Sequence, residues 1–283
     1  MSSDHLSTCI SVCTITVVTG IYVAAWAGYH LLLHPGVLWA CLFNVTWALA
    51  LWSYLQTSLT DPGSPASPEW QAWAQARQGE RSLEQWQKDA EEEAGNLRER
   101  SWAPGKPTWC RSCRMERPER AHHCASCGCC VLRMDHHCPW IGSCVGWRNH
   151  KYFLLLNWWC FWSCACLLLT MTRPSVIEAI GISSNLSAKS ILLMVMVLSI
   201  MVFLMLTGLL FVLSLYAAMR NATTIEEFFA GANPYTLDSS MDNLTELLGP
   251  PGLRWLVPVP CACRRSDGTQ FPTKPEALSY GSV

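Results

Sequence analysis

The sequence predicts an all-α polytopic membrane protein in which four transmembrane helices carry a cytosolic cysteine-rich domain between helices 2 and 3. Three observations predict it. Of the 283 residues, 51% are hydrophobic and only 14% are charged, where soluble domains carry about a quarter charged. The charges are missing from long runs: after Asp4 no Asp, Glu, Lys or Arg occurs until Asp61. Of the 16 cysteines, eight fall between Cys110 and Cys144, interleaved with His122, His123, His136 and His137. That is metal-ligand spacing rather than a disulfide framework, so the domain between helices 2 and 3 is read as zinc-stabilised.

Residues 1–60 hold helices 1 and 2. A span takes about 20 apolar residues, so the first uncharged stretch is too long for one, and His34-Pro35-Gly36 divides it into Cys9 to Leu33 and Val37 to Leu59. The first run lacks a basic start and a small-residue cleavage site and exceeds a signal-peptide core, so it is expected to stay in the mature protein. Residues 152–217 hold helices 3 and 4, in the uncharged runs Tyr152 to Thr172 and Ser190 to Tyr216, which read as spans rather than as buried core helices.

Thirteen of the 20 Lys and Arg lie between Asp61 and Lys151 and five follow Tyr216, while only Arg173 and Lys189 flank the loop between helices 3 and 4. The positive-inside rule therefore places the long loop and both termini in the cytosol. Of the Asn-x-Ser/Thr sites, Asn185 alone is then luminal. A net charge of −1 gives no field for nucleic acid, so membrane lipid is the expected partner and nucleic acid is not.

The cytosolic loop has two parts. Residues 61–105 open on Asp61-Pro62-Gly63, by itself a turn, and continue as a polar linker. Its Trp70, Trp73, Leu83, Trp86 and Leu97 read as one or two solvated helices with an amphipathic face, the alternative being tryptophans laid along the membrane interface.

Residues 106–151 carry the cysteines. Cys110-x2-Cys113, His123-Cys124-x2-Cys127, Cys130, His137 and Cys144 offer six thiolates and two imidazoles, enough for two tetrahedral zinc sites. The segments between them show little hydrophobic periodicity, so metal would have to supply the folding energy. Eight Lys and Arg against Glu116, Glu119 and Asp135 leave +5, or +3 once six bound thiolates and two Zn²⁺ are counted. A basic cytosolic face suits either anionic lipid or a phosphorylated cofactor.

Eight ligands leave Cys129 and Cys138 over. Cys138 ends the run Asp135-His136-His137-Cys138. A neighbouring histidine turns a thiol into a nucleophilic thiolate, and Asp135 could fix the tautomer of His136, which could act as base while His137 serves zinc. Spacing alone also allows Cys138 as one more metal ligand. In residues 218–283, Thr223-Thr224-Ile225-Glu226 is by itself a capping box that would start a helix containing Phe228 and Phe229.

The run Cys110-x2-Cys113-x9-His123-Cys124-x2-Cys127-x2-Cys130-x4-Asp135-His136-His137-Cys138-x5-Cys144-x4-Asn149-x3-Phe153 resembles the cysteine-rich domain of the DHHC protein S-acyltransferases (palmitoyltransferases) at every signature position. The four-span layout is also that of the family. The resemblance implies that Cys110, Cys113, His123 and Cys130 bind one zinc and Cys124, Cys127, His137 and Cys144 the other. It further implies that Cys138 is the acylated nucleophile, His136 its base and Asp135 the orienter of His136, with Trp140 next to the reacting thioester. Asp61-Pro62-Gly63 is similar to the family's DPG motif and Thr223-Thr224-Ile225-Glu226 to its TTxE motif, which implies Thr224 close to Asp135. Asn243 falls at a structural asparagine position, and Cys129 is left as a reduced structural thiol. The co-substrate implied is acyl-CoA, with palmitoyl the acyl group. The partners implied are proteins with a membrane-proximal cysteine, and the compartment is an endomembrane, Golgi or ER. Ser64 to Arg100 and the tail after Gly249 lie outside the resemblance.

Two other classes fit less well. A ring-finger scaffold closes with a second downstream C-x2-C pair, whereas only Cys138 and Cys144 follow Cys130 in this domain. A transporter would want ionisable residues inside its spans, and only His30, near a helix end, is present.

Overall fold

The computed structural model describes residues 13–21, 23–24, 26–27, 30, 36–77, 102, 104–171, 188–261 and 264–273. The architecture is mostly helical. Among the described residues three helices are long and apolar enough to cross a membrane: α1 (Val37–Leu59), α3 (His150–Met171) and the greater part of α4 (Ala188–Met219). A short helix, α2 (Pro68–Ala76), follows α1, and α5 (Ser240–Leu248) follows α4. Of the predicted first span, Cys9 to Leu33, the described residues 13–21, 23–24, 26–27 and 30 are helical, and the rest lie outside the described set. So do Asn185 and Arg173 between α3 and α4, Cys263, and Trp86 and Leu97 of the linker.

The chain around α1 sets its ends. Gly36 precedes it in an extended conformation, and Thr60 closes it, also extended, ahead of Asp61-Pro62, where the residue before proline disfavours the α region. Its buried residues, Phe43, Ala50, Ser53, Tyr54 and Thr57, recur at helical spacing and form the stripe that packs against α3. Four polar side chains inside the spans bond back to their own helices: Thr57 to Ser53 O, Asn157 to Phe153 O, Ser163 to Trp159 O and Thr170 to Cys166 O, at 2.6, 2.9, 2.8 and 2.8 Å. This local satisfaction lets them sit at membrane depth without an unpaired hydroxyl or amide. The opposite surface of α4 exposes Leu198, Val202, Met205, Leu209 and Val212, an apolar face suited to lipid tails.

The all-α expectation fails in one place. The segment between α2 and α3 folds as three two-stranded antiparallel hairpins: β1 (Thr108–Cys110) with β2 (Met115–Arg117), β3 (His122–Cys124) with β4 (Cys129–Val131), and β5 (His136–Cys138) with β6 (Ser143–Val145). Each strand has three residues, too few to display a period-two hydrophobic pattern, which is why the sequence shows no strand signal there. The turns need left-handed backbone, at Arg114 (φ 52°), Gly128 (φ 70°) and Gly142 (φ 64°).

In the linker, α2 is a helix with the expected amphipathic face, and that face is packed on the hairpin domain rather than solvated. Trp70 of α2 is only 1% exposed and joins Cys110, Cys130, Leu132, Trp147 and Phe271 in one apolar core. The tail after Gly249 contributes Phe271 to that core, and Phe271 N–H donates to Glu119 Oε1 at 2.7 Å. The helix before the hairpins and the tail after Gly249 therefore both close over them.

The hairpin domain is sewn to the spans by backbone and amide hydrogen bonds. The Asp61 carboxylate accepts from Gly63 N, Ser64 N and Ser64 Oγ, each at 2.7 Å, which folds the Asp61-Pro62-Gly63 turn. Gly63 O and Pro62 O then accept from Leu132 N and Arg148 N at 2.9 and 3.3 Å. Asn149 Nδ2 donates to Thr57 O in α1 and to Cys144 O in β6, at 3.0 and 2.9 Å. A side chain at Gly146 has no room in this seam: a Cβ would stand 2.5 Å from Val131 Cγ1 and 2.6 Å from Pro62 O. Gly146→Ala is expected to destabilise the protein by about 1–3 kcal/mol, read as a lowered melting temperature in detergent; an unchanged melting temperature would contradict the seam.

Candidate active site

The hairpins bring the predicted metal ligands into two groups. Cys110, Cys113, His123 and Cys130 form one, and Cys124, Cys127, His137 and Cys144 the other, with the ligand atoms of each group within 4.8 Å of one another. In the second group Cys127 Sγ lies 3.5 Å from Cys144 Sγ, and His137 Nδ1 lies 3.4, 3.6 and 3.7 Å from the sulfurs of Cys127, Cys124 and Cys144. With Zn–S bonds of about 2.3 Å, the edge of a sulfur tetrahedron is about 3.8 Å, so the spacing fits one ion per group. In the first group Cys113 Sγ stands 3.2 Å from His123 Nδ1 and 3.7 Å from Cys130 Sγ. Three soft thiolates and one imidazole suit zinc. The two groups alternate along the hairpins: β3 and β4 pair His123 with Cys130, ligands of the first, and end at Cys124 of the second.

Strand geometry accounts for the Asp135 to Cys138 run. Successive side chains of a strand point to opposite faces, so in β5 His137 turns to the second metal group while His136 and Cys138 share the other face. His136 Nδ1 is 2.6 Å from Asp135 Oδ2, leaving Nε2 as the nitrogen available to the Cys138 thiol on the same face of the strand. Asp135 is held in turn by Thr224, whose N–H donates to Oδ1 at 2.8 Å and whose hydroxyl donates to Oδ2 at 3.0 Å. Phe153 packs edge-on against the His136 ring at 5.1 Å. Cys138 is buried with Tyr54, Ile141, Val145 and Phe153, and Ile15 and Val18 pack on this cluster. The thiol thus stands where the hairpin domain meets the apolar helices.

The electrostatics follow from these contacts. Burial opposes charging of His136, but its hydrogen bonds to Asp135 and Cys138 outweigh that and lift its pKa to about 9. Burial likewise opposes ionisation of Asp135, yet the hydrogen bond from His136 and the neighbouring imidazoles hold it well below the usual carboxylate range. Such a carboxylate–imidazole–thiol arrangement can generate a thiolate paired with an imidazolium, the nucleophile of covalent acyl transfer.

The remaining predicted residues fall into supporting positions. Trp140 is 71% exposed, and its carbonyl accepts from Tyr54 Oη at 3.2 Å. Asn243 Nδ2 donates to Met219 O and its Oδ1 accepts from Leu237 N, at 2.9 and 2.8 Å, joining the C-terminal segment to the end of α4. Thr223 and Glu226 make the reciprocal contacts of a capping box, Thr223 N to Glu226 Oε2 at 2.9 Å and Glu226 N to Thr223 Oγ1 at 3.4 Å, but only a single 3-10 turn, Glu226–Phe228, follows. Glu226 is engaged elsewhere, with Arg120. Cys129 stays outside both metal groups, and burial pushes its thiol up to about 11.

The expected basic face is smaller than its count. Arg120, Arg133 and Lys151 are buried, and Lys151 Nζ donates to the carbonyls of Arg254 and Val259 at 2.7 and 3.0 Å. Composition cannot distinguish such cations from surface ones. Tyr54 carries no mark of its own in the sequence; it lies with Ser53 and Thr57 on the buried stripe of α1.

Comparison with known proteins agrees with this geometry. The family model described as DHHC palmitoyltransferase matches residues 103–230, which spans all three hairpins and the Thr223–Glu226 turn. Human "Palmitoyltransferase ZDHHC20" is 29% identical over 250 residues, covering 84% of this chain and 67% of that protein. "Palmitoyltransferase ZDHHC15A" of Danio rerio is 28% identical over 293 residues, 94% of this chain and 86% of its own length. "Probable protein S-acyltransferase 14" of Arabidopsis thaliana is 32% identical over 255 residues, 83% of this chain and 78% of its own length. Likeness on that scale reaches well past the cysteine-rich segment into the helices on both sides of it, and it places the chain in the DHHC palmitoyltransferase family.

Proposed function

We propose that this protein S-palmitoyltransferase moves a long-chain acyl group, palmitoyl, from acyl-CoA to Cys138 and from there to a cysteine of a membrane-associated protein. In the first step the Cys138 proton passes to His136, the thiolate attacks the thioester carbonyl, the carbon–sulfur bond to CoA breaks, and CoA leaves as a thiol on taking the proton back. In the second step the substrate cysteine attacks the Cys138 thioester in the same way and Cys138 is regenerated. One thioester is exchanged for another each time, so little driving force is needed and positioning sets the rate. Two zinc ions, held by Cys110, Cys113, His123 and Cys130 and by Cys124, Cys127, His137 and Cys144, would supply folding energy and take no part in the bond changes. The distribution of Lys and Arg supports a cytosolic hairpin domain and cytosolic termini, and an endomembrane, Golgi or ER, is the compartment proposed.

The observation that carries this reading is the shared face of β5, which puts Cys138 beside His136 at the junction with the spans while Asp135 is held by Thr224. The test is incubation of the purified protein with labelled palmitoyl-CoA. Hydroxylamine-labile label is expected on the peptide containing Cys138 and is expected to be absent from Cys138→Ala; label of undiminished intensity in that variant would overturn the assignment.

A further inference from the structure

Arg120 and Glu226 lie 106 positions apart in sequence and form an ion pair whose side chains are each 1% exposed. Taking two charges out of water costs about as much as their attraction returns, so such a pair calls for a reason other than stability. Four hydrogen bonds hold the guanidinium. Its Nε and Nη2 donate to Oε1 and Oε2 of Glu226, both at 2.7 Å, and Nη1 and Nη2 donate to Oδ1 and O of Asn221 at 3.1 and 2.8 Å. The rings of Tyr235 and Phe271 lie 4.4 and 4.6 Å from its Cζ. Nothing in this arrangement leaves the guanidinium a second orientation.

What the pair holds is the turn from Thr223 to Glu226. Glu226 Oε2 accepts from Thr223 N at 2.9 Å as well as from Arg120, and Glu226 N donates back to Thr223 O at 3.0 Å. Thr224 lies between these two fixed points, and both of its donors serve Asp135. At the other end, Arg120 stands three residues before His123 of the first metal group. One rigid path therefore runs from the first metal group through Arg120, Glu226 and Thr224 to the carboxylate that orients His136.

We infer that Arg120 and Glu226 are positioning residues of the acyl-transfer centre, acting through Thr224 on Asp135 and His136. The inference rests on the acyl-transfer reading above and adds to it the residues that set the geometry of its base. A path of this kind makes a specific demand: removing Glu226 and removing the Thr224 hydroxyl should be redundant, because both undo the same contact with Asp135.

The experiment compares Glu226→Gln, Thr224→Val, the double variant and Arg120→Lys as full-length protein in lipid nanodiscs, with single-turnover formation of the Cys138 thioester from palmitoyl-CoA, metal content and melting temperature as readouts. Glu226→Gln is expected to keep two metal ions and to slow thioester formation about tenfold or more, with the concentration dependence on palmitoyl-CoA unchanged. The double variant is expected to be no slower than the slower single one. Arg120→Lys, which keeps the charge but loses the bidentate geometry, should fall between wild type and Glu226→Gln. Rates within twofold of wild type, multiplicative losses in the double variant, or loss of metal from both Glu226→Gln and Arg120→Lys would overturn the inference, the last by making the pair merely structural. Unchanged label in Cys138→Ala would overturn the acyl-transfer reading and this inference together, whereas label confined to Cys138 alongside multiplicative losses would overturn this inference alone.

Discussion

Replacing Cys144 with serine is expected to release a metal ion and to lower thioester formation at least 100-fold. The reason lies in the size of the hairpins. A lone two-stranded hairpin is at best marginally stable in water, and each pair here contributes strands of only three residues. Structural zinc binding is worth roughly 10–16 kcal/mol in small zinc domains, comparable with the whole stability of an ordinary domain. Cys144 pairs with His137 across β5 and β6, so an ion held by Cys144 would also fix the strand that presents His136 and Cys138. Metal content by mass spectrometry should fall from two ions per chain, and the melting transition should broaden or move to lower temperature. Cys129→Ser serves as the control: its sulfur lies beside the same cluster but outside both ligand groups, so both ions should remain and the rate should stay within about twofold. Two ions and a normal rate in Cys144→Ser would refute the structural role of the second metal group.

The parts of this molecule that a sequence can show are those governed by local chemistry. Charge is excluded from a bilayer residue by residue, so α1, α3 and α4 stand out as uncharged runs, with ends within a few residues of the helices observed. Structural zinc sites are built mainly from Cys and His, so the spacing of these residues marks the hairpin domain without any strand signal. Partnerships across the chain are different in kind. That Trp70 and Phe271 share one core, that Arg120 faces Glu226 rather than solvent, and that Lys151 is capped by carbonyls 103 and 108 residues away are properties of the assembled fold. The DPG turn illustrates the boundary between the two. Asp61 folding back on Gly63 and Ser64 is legible as turn chemistry, whereas the acceptance of Leu132 N by Gly63 O is what turns a punctuation mark into the seam between the domain and the membrane helices.

His136→Ala is expected to slow thioester formation by about 100-fold or more, the usual cost of losing a positioned general base, and to change how stability depends on pH. In the folded protein burial disfavours the imidazolium, but Asp135 and Cys138 more than offset this and raise the pKa from 6.5 to about 9. A raised pKa means that the folded state holds the proton more tightly than the unfolded chain. The resulting stabilisation is complete below about pH 6.5 and is lost as pH rises through about 9. Asp135 contributes with the opposite sign: its depressed pKa stabilises the fold above the ordinary carboxylate value and loses that effect only in acid, so between pH 7 and 10 it does not mask the histidine. The melting-temperature difference between wild type and His136→Ala should therefore be largest near neutral pH and should narrow toward pH 10. A difference that stayed constant across that range would mean that His136 is uncharged in the folded protein, and the thiolate–imidazolium pair would have to give way to proton removal by a neutral imidazole during attack.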